Sequence, residues 1–216
     1  MTEPVTPLRQ RTLVVVHAGL GQPSATRLLA DRLSAATADA LRVAGVEPRV
    51  VVVELRDHAQ DLVGNLLTGF PSPALRTAID AVAGADGLIA VTPIYSASYS
   101  GLFKLFFDVL ERDALASMPV LVAATAGTAR HSLALDHAMR PLFAYLGAAV
   151  IPTAVFAAAD DWGQGDDGME ASLVDRMARA GRELAGVVAS REGRRIGAAV
   201  DPFADPVPFE QLLAGE

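Results

Sequence analysis

The sequence predicts an α/β fold, a five-stranded parallel sheet with helices on both faces. Two observations predict it. Five short uncharged runs, at residues 12–16, 50–53, 87–91, 120–124 and 150–156, are separated by segments in which apolar residues recur at helical spacing. The runs are apolar at successive rather than alternate positions, the pattern of strands covered on both faces, and such strand–helix alternation closes through right-handed crossovers. With 216 residues, 51% of them hydrophobic, the chain is long enough for one such core.

Each element has its own justification. The run 12–16 ends at a glycine-containing turn, and residues 25–43 follow with Leu28, Leu29, Leu33, Ala36 and Leu41 at helical spacing. Residues 50–53 are four successive valines, expected to form a strand buried on both faces. A helix-like segment at 73–83 precedes the strand 87–91, and residues 102–110 form the next helix, with Phe103, Phe106, Phe107 and Leu110 on its apolar side. The strand 120–124 leads to a helix at 132–146, and the last strand is interrupted by Pro152, which suits a strand end or a sheet edge. A polar loop at 160–168 precedes a final amphipathic helix at 169–190. Five strands connected in this way suit the flavodoxin-like order 2-1-3-4-5. Residues 1–191 are expected to form the domain. Residues 192–216, broken by Pro202, Pro206 and Pro208, are expected to be a tail packing on the domain or on a neighbouring subunit.

Composition removes several chemistries. The absence of cysteine excludes disulfides, thiolate metal sites and cysteine nucleophiles. Lys and Arg number 18 against 25 Asp and Glu, a formal charge of -7, the wrong sign for a protein devoted to nucleic acid or anionic lipid. Any anion must be held locally. The first ten residues lack the apolar core of a secretory signal, so a cytoplasmic location is expected. The uncharged stretch 142–159 contains Gly147 and Pro152 and reads as a helix end followed by a buried strand, not a membrane span.

In an open parallel sheet, ligands collect beyond the carboxyl ends of the strands where the order reverses. Three loops qualify. The first, His17-Ala18-Gly19-Leu20-Gly21-Gln22-Pro23-Ser24-Ala25-Thr26-Arg27, has two glycines for a tight turn and sets the Ser24 and Thr26 hydroxyls beside a helix N-terminus, the makings of a phosphate cradle. It matches neither G-x-G-x-x-G nor a P-loop. A capped helix start, with Pro23 near the first helical position and Ser24 or Gln22 at the cap, accounts for the same residues. The second loop, Thr92-Pro93-Ile94-Tyr95-Ser96-Ala97-Ser98-Tyr99-Ser100-Gly101, combines small residues with two tyrosines and suits a planar heterocycle. Alternatively Tyr95 and Tyr99 pack inward, and Ser98 or Ser100 caps the next helix. The third, Thr125-Ala126-Gly127-Thr128-Ala129-Arg130-His131, is again a small-residue turn with hydroxyls.

His131 and His17 read as surface histidines, since no nucleophile or carboxylate partner lies near either in sequence. Asp160, Asp161, Asp166 and Asp167 lack a cation-binding ladder and read as a solvated acidic loop. Lys104 is expected to face solvent. Trp162 is either a lid or a half-buried anchor. G-x-S-x-G is absent.

On residues 21–30, 92–104 and 124–131 the chain resembles the NAD(P)H-dependent FMN reductase family, flavodoxin-like enzymes that supply reduced flavin to two-component monooxygenases, and the likeness spans about residues 12–156. The resemblance implies that Ser24 and Thr26, the backbone around Gly21, Pro23 and Ala25, and Arg27 hold the flavin 5′-phosphate. It implies that Pro93, Ile94, Tyr95, Ser96 and Ala97 line the isoalloxazine, and that Thr125, Ala126, Gly127 and Thr128 approach its pyrimidine side; Ala126 stands where relatives often carry a glycine. Hydride would pass from nicotinamide to flavin N5 with no catalytic side chain and no metal. NADPH is the expected donor with NADH as an alternative, and Arg130 or Arg11 is the candidate partner for a 2′-phosphate. The resemblance further implies a homodimer or homotetramer with flavin near the interface, a tyrosine at Tyr99 associated with a helix irregularity there, and a flavin-dependent monooxygenase as partner. An FMN-containing quinone, azo or chromate reductase and a flavodoxin-like electron carrier are the competing functions.

Overall fold

The computed structural model of the chain describes residues 9–162 and 172–192. Asp166, Asp167 and all of the expected tail except Glu192 lie outside the described residues. The elements in chain order are β1 (Arg9–His17), α1 (Ala25–Val43), β2 (Val46–Glu54), α2 (Ala59–Thr68), α3 (Pro73–Ala83), β3 (Gly87–Tyr95), β4 (Ser98–Tyr99), α4 (Gly101–Asp108), β5 (Pro119–Ala126), α5 (Arg140–Tyr145), β6 (Ala149–Val150), β7 (Val155–Ala158) and α6 (Leu173–Ser190).

The parallel sheet runs β2-β1-β3-β5, and its last position is shared by β6 and β7, which pair with successive halves of β5. This is the expected order, with the fifth strand broken in two at Pro152. Because strand side chains alternate between faces, each apolar run feeds two cores. Leu13, Val15, Ile89, Val91 and Leu121 pack under α1 and α6, whereas Val14, Val16, Leu88, Ala90, Val120 and Val122 join Leu75 and Val82 of α3, Phe103, Phe106 and Phe107 of α4, and Phe143 of α5. The phenylalanine cluster is tilted and edge-on, with ring centroids 4.7 Å apart for Phe103 and Phe107 and 4.9 Å for Phe107 and Phe143, geometries that suit the aromatic quadrupole. On the other face a Cβ at Gly181 would lie 2.9 Å from the Ala36 carbonyl carbon, so α6 approaches α1 at a distance that admits no side chain there.

Four sequence expectations change. The valines of β2 are not enclosed on both faces: Val50 and Val52 are 39% and 40% exposed, because β2 is the edge strand of the sheet. Residues 132–146 are not one helix. A 3₁₀ turn at Ala129–His131 and a π turn at Leu135–Met139 precede α5. Pro141 explains the irregularity, since its ring lacks an N–H and crowds the carbonyl four residues back. The final helix begins at Leu173, capped by the Ser172 hydroxyl, which accepts from the Asp175 N–H at 3.2 Å. Finally, β3 and β5 run beyond Val91 and Ala124, so Thr92 to Ile94 and Thr125 are buried strand residues rather than loop. Proline is tolerated there because the Ala18 N–H donates to the Val91 carbonyl, so Pro93, two residues on, faces the same side past the last β1 partner. The helix α2 and the strand β4 had no counterpart in the sequence reading.

Candidate functional site

The carboxyl ends of β1, β3 and β5 come together as the strand order requires, and side chains as well as topology join the loops. Thr26, in the first turn of α1, and Thr125, near the end of β5, are both buried, and their hydroxyls share a hydrogen bond of 2.8 Å. Two segments a hundred residues apart in sequence are thereby fixed to each other.

The first loop is a helix cap as well as a cradle. Ser24 has extended φ and ψ, and its Oγ accepts from the Arg27 N–H at 3.2 Å. The first intrahelical donor is Leu28, to the Ser24 carbonyl, so among the described residues the N–H groups of Ala25 and Thr26 have no intrahelical acceptor and are available to an anion beside the positive end of the helix. The Ser24 hydroxyl proton is also available to a ligand. The glycines serve differently from the sequence expectation. Neither Gly19 nor Gly21 takes a positive φ; a Cβ at Gly19 would lie 2.2 Å from Ser24 Oγ, so glycine is required by close approach, and the buried backbone at Gly19 lets the cap fold onto it.

Left-handed backbone appears instead in the second loop. Ser96 and Ala97 have φ of 47° and 68° and form the two-residue turn of a hairpin in which β4 pairs antiparallel with the end of β3, Ile94 opposite Tyr99 and Tyr95 opposite Ser98. Two successive positive φ values are what a tight hairpin of this hand requires. The Thr92 hydroxyl accepts from the Ser100 N–H at 3.0 Å and donates to the Pro93 carbonyl at 2.9 Å, and Ser100 caps α4 through Phe103. The loop is thus pinned from beneath. Pro93 and Ile94 are buried, Ser96 and Ala97 are exposed, and Tyr95 presents a ring that is 49% exposed. Tyr99 behaves otherwise, half-buried against Phe103 with centroids 5.9 Å apart. In the third loop Gly127, Thr128, Arg130 and His131 are exposed, while Ala126 closes the β5 ladder opposite Ala158 without a positive φ. Alanine is therefore accommodated there.

His17 is fully buried, contrary to its reading as a surface residue, because it ends a strand flanked on both sides by β2 and β3. Neither ring nitrogen has a hydrogen-bonding partner among the described residues, and Nε2 lies 3.8 Å from Glu54 Oε2. Burial lowers the His17 pKa below its ordinary value, with the Glu54 carboxylate opposing. Glu54 is the centre of a charged cluster absent from the sequence reading. Its Oε2 accepts from Arg27 Nη1 at 3.1 Å, and its Oε1 lies 2.8 Å from Arg56 Nε. Arg27 also reaches Asp31 at 2.8 Å, a hydrogen bond that raises its pKa further. In the amide orientation that hydrogen bonding requires, the Gln22 oxygen accepts from both Nη atoms of Arg56 at 2.8 and 2.7 Å. These groups and Ser24 line a cleft of about 350 Å³. The available signal was Glu54-Leu55-Arg56 directly after a valine strand, charges placed where strand ends meet ligands.

Other expectations separate cleanly. Arg11 lies at the amino end of β1, buried, its guanidinium on the Arg191 carbonyl at 2.7 Å, so it is at the wrong end of the sheet to meet a nucleotide; Arg130 stands at the correct rim. Trp162 is an anchor, its ring under the Arg32 guanidinium at 5.2 Å and packed on the α1–α6 core. Asp161 accepts from the Ala158 N–H at 2.7 Å and from Arg176 at 3.0 Å, a structural role. Lys104 is half-exposed and paired with Asp108. A helix irregularity, the π turn at Leu135–Met139, lies beside the groove that Tyr99 lines together with His137 and Ala138. Among the described residues no cluster of His, Asp and Glu could hold a metal.

Comparison with known proteins gives the family. The family described as NADPH-dependent FMN reductase matches residues 11–163. The chain belongs to the NADPH-dependent FMN reductase family. It is similar to an FMN reductase (NADPH) from Pseudomonas aeruginosa, at 38% identity over 69% of this chain and 78% of the relative. It is equally similar, at 38% identity over 67% of this chain and 75% of the relative, to the NADH-dependent FMN reductase SfnE from Pseudomonas putida. A solved oxidoreductase from Corynebacterium diphtheriae superposes with a TM-score of 0.81 at 45% identity, covering 85% of this chain and all of that one. The matched residues of the reductase contain all three loops of the carboxyl rim.

Proposed function

We propose that this reductase binds FMN as an exchangeable substrate and reduces it with NADPH, NADH serving as an alternative donor. FMN supplies the redox chemistry when bound, accepting hydride from the nicotinamide. The chain binds, orients and excludes water. The phosphate rests on the N–H groups of Ala25 and Thr26, the Ser24 hydroxyl and the helix dipole, with Gly21, Pro23 and Arg27 around it. Pro93 and Ile94 back the isoalloxazine from within the sheet, and Tyr95, Ser96 and Ala97 flank it; Thr125, Ala126, Gly127 and Thr128 complete the pyrimidine side. The observation that carries this reading is the Thr26–Thr125 hydrogen bond of 2.8 Å, which ties the phosphate loop to the carboxyl end of β5 beside β3. No side chain serves as acid or base in this reading, which suits a transfer between two bound cofactors.

Reduced FMN then leaves for a flavin-dependent monooxygenase. The groove beside Tyr99, with the 81%-exposed Tyr145 at its edge, supports a homodimer or homotetramer in which Tyr99 lies at the interface. A cytoplasmic location suits a soluble flavin product, and no helix among the described residues is long and apolar enough to cross a membrane.

Oxidation of NADPH and NADH by the purified protein with excess free FMN tests the activity. Many equivalents of FMN reduced per protein are expected. Absence of turnover with either nicotinamide would reject the proposal, and a yellow protein that ignores free FMN yet reduces quinones would replace it with a resident-flavin reductase.

A further inference from the structure

The charge balance beside the phosphate loop is unusual for a site that receives an anion. Arg27 occupies the first turn of α1, where a guanidinium suits a phosphate, yet it is turned toward Asp31 at 2.8 Å and Glu54 at 3.1 Å. Arg56 is held by Glu54 at 2.8 Å, with Asp57 at 3.6 Å. Two cations therefore face three carboxylates, Asp31, Glu54 and Asp57, a formal sum of -1. His17 adds no charge where burial keeps it neutral. A phosphate monoester brings about -1.5 to -2 near neutral pH. Among the described residues Glu54 is the carboxylate that contacts both arginines, and it shares the wall of one cleft with Ser24.

A guanidinium offers a limited set of donors in a fixed fork, and a carboxylate and a phosphate compete for the same ones. Glu54 thus opposes the ligand twice, by occupying the cations and by its own like charge. We infer that Glu54 keeps the flavin exchangeable: by holding Arg27 and Arg56, it denies the FMN phosphate a charge-assisted partner and makes the phosphate loop a weak holder. The inference rests on the proposed reading, that FMN is a substrate whose phosphate lies on residues 21–27. It assigns Glu54 a positioning role whose sign is opposite to that of a mere structural support. A support, once removed, would loosen the loop and weaken binding. Glu54, once neutralised, gives up its hold on Arg27 Nη1 and Arg56 Nε and removes a like charge, which strengthens binding.

Equilibrium titration of the full flavin-free chain with FMN and with riboflavin, followed by flavin fluorescence, separates the two. Glu54→Gln keeps size and polarity and removes the charge; FMN is expected to bind about tenfold tighter, the worth of one charge-assisted hydrogen bond gained by the phosphate. Riboflavin, which has no phosphate, is expected to bind as to wild type, which also shows that the variant is folded. Glu54→Asp keeps the charge and should retain wild-type FMN affinity, and the gain in Glu54→Gln should fade as salt is raised. FMN affinity unchanged or lowered in Glu54→Gln, or an equal gain for riboflavin, would overturn the inference. Wild-type protein that binds riboflavin as well as FMN would remove the reading beneath it, since the phosphate would then lie elsewhere.

Discussion

Thr26 and Thr125 carry more than their size suggests, because each hydroxyl is buried and their hydrogen bond of 2.8 Å joins loops that chain connectivity leaves far apart. Replacing one by valine strands the other hydroxyl in a dry site, so Thr26→Val or Thr125→Val should each cost about 1–3 kcal/mol in chemical denaturation. The double variant should cost less than the sum, because neither hydroxyl is then left behind; additivity would show that the two do not interact. At this scale local chemistry was legible and tertiary enclosure was not. Ser24 and Ser100 could be read as caps because a serine three residues before a helical donor is a local pattern. His17 could not be placed, since its burial comes from β2 and β3, strands distant in sequence. The roles of Gly19 and of Ser96 and Ala97 were reversed for a similar reason. A Cβ collision with Ser24 depends on how the loop folds back, and positive φ at non-glycine residues has no compositional signature.

Among the elements, the break between β6 and β7 shows how a sheet edge is made safe. Thr153 lies in the gap, and its N–H and hydroxyl donate to Glu183 of α6 at 2.9 and 2.7 Å. Burial pushes the Glu183 carboxyl up, but the bonds from Thr153 and the Arg179 guanidinium outweigh it and hold the pKa below its ordinary 4.5. Glu183→Ala should therefore lose about 1–3 kcal/mol of stability at neutral pH. That contribution exists above the unfolded pKa and fades as pH falls through the lower folded value, so wild type and variant should converge in acid; a difference that persists there would assign the cost to packing instead. Pro152 announced an interruption in the sequence, and the helix periods of α1 and α3 gave their limits to the residue. The π turn was hidden, because the apolar spacing of residues 132–146 continues through it and only Pro141 hints that the hydrogen-bond ladder cannot. The exposure of Val50 and Val52 was equally hidden: four valines specify a strand, but whether it is central or peripheral depends on the order in which distant strands pair.

For the whole molecule, the strand order followed from strand–helix alternation alone, and with it the convergence of three loops at one rim. The molecule's response to acid has a component that begins at that rim. Burial lowers the His17 pKa from 6.5, with Glu54 opposing. Below about pH 6.5 the unfolded chain binds a proton that the folded chain resists, so stability declines as pH falls toward the lowered value. His17→Leu removes this proton, so between about pH 7 and pH 5 the variant should lose less stability than wild type in matched denaturant titrations; parallel loss would mean that the histidine titrates as if in water. The hairpin at Ser96 and Ala97 has a different consequence. Its position is set by main-chain angles and by bonds from Thr92 beneath it, while the side chains at 95–97 face outward. Tyr95, which ends β3 without a positive φ, can therefore be replaced to change the face the hairpin presents while the turn and the sheet below stay as they are, whereas Ser96 and Ala97 admit few side chains at their left-handed angles.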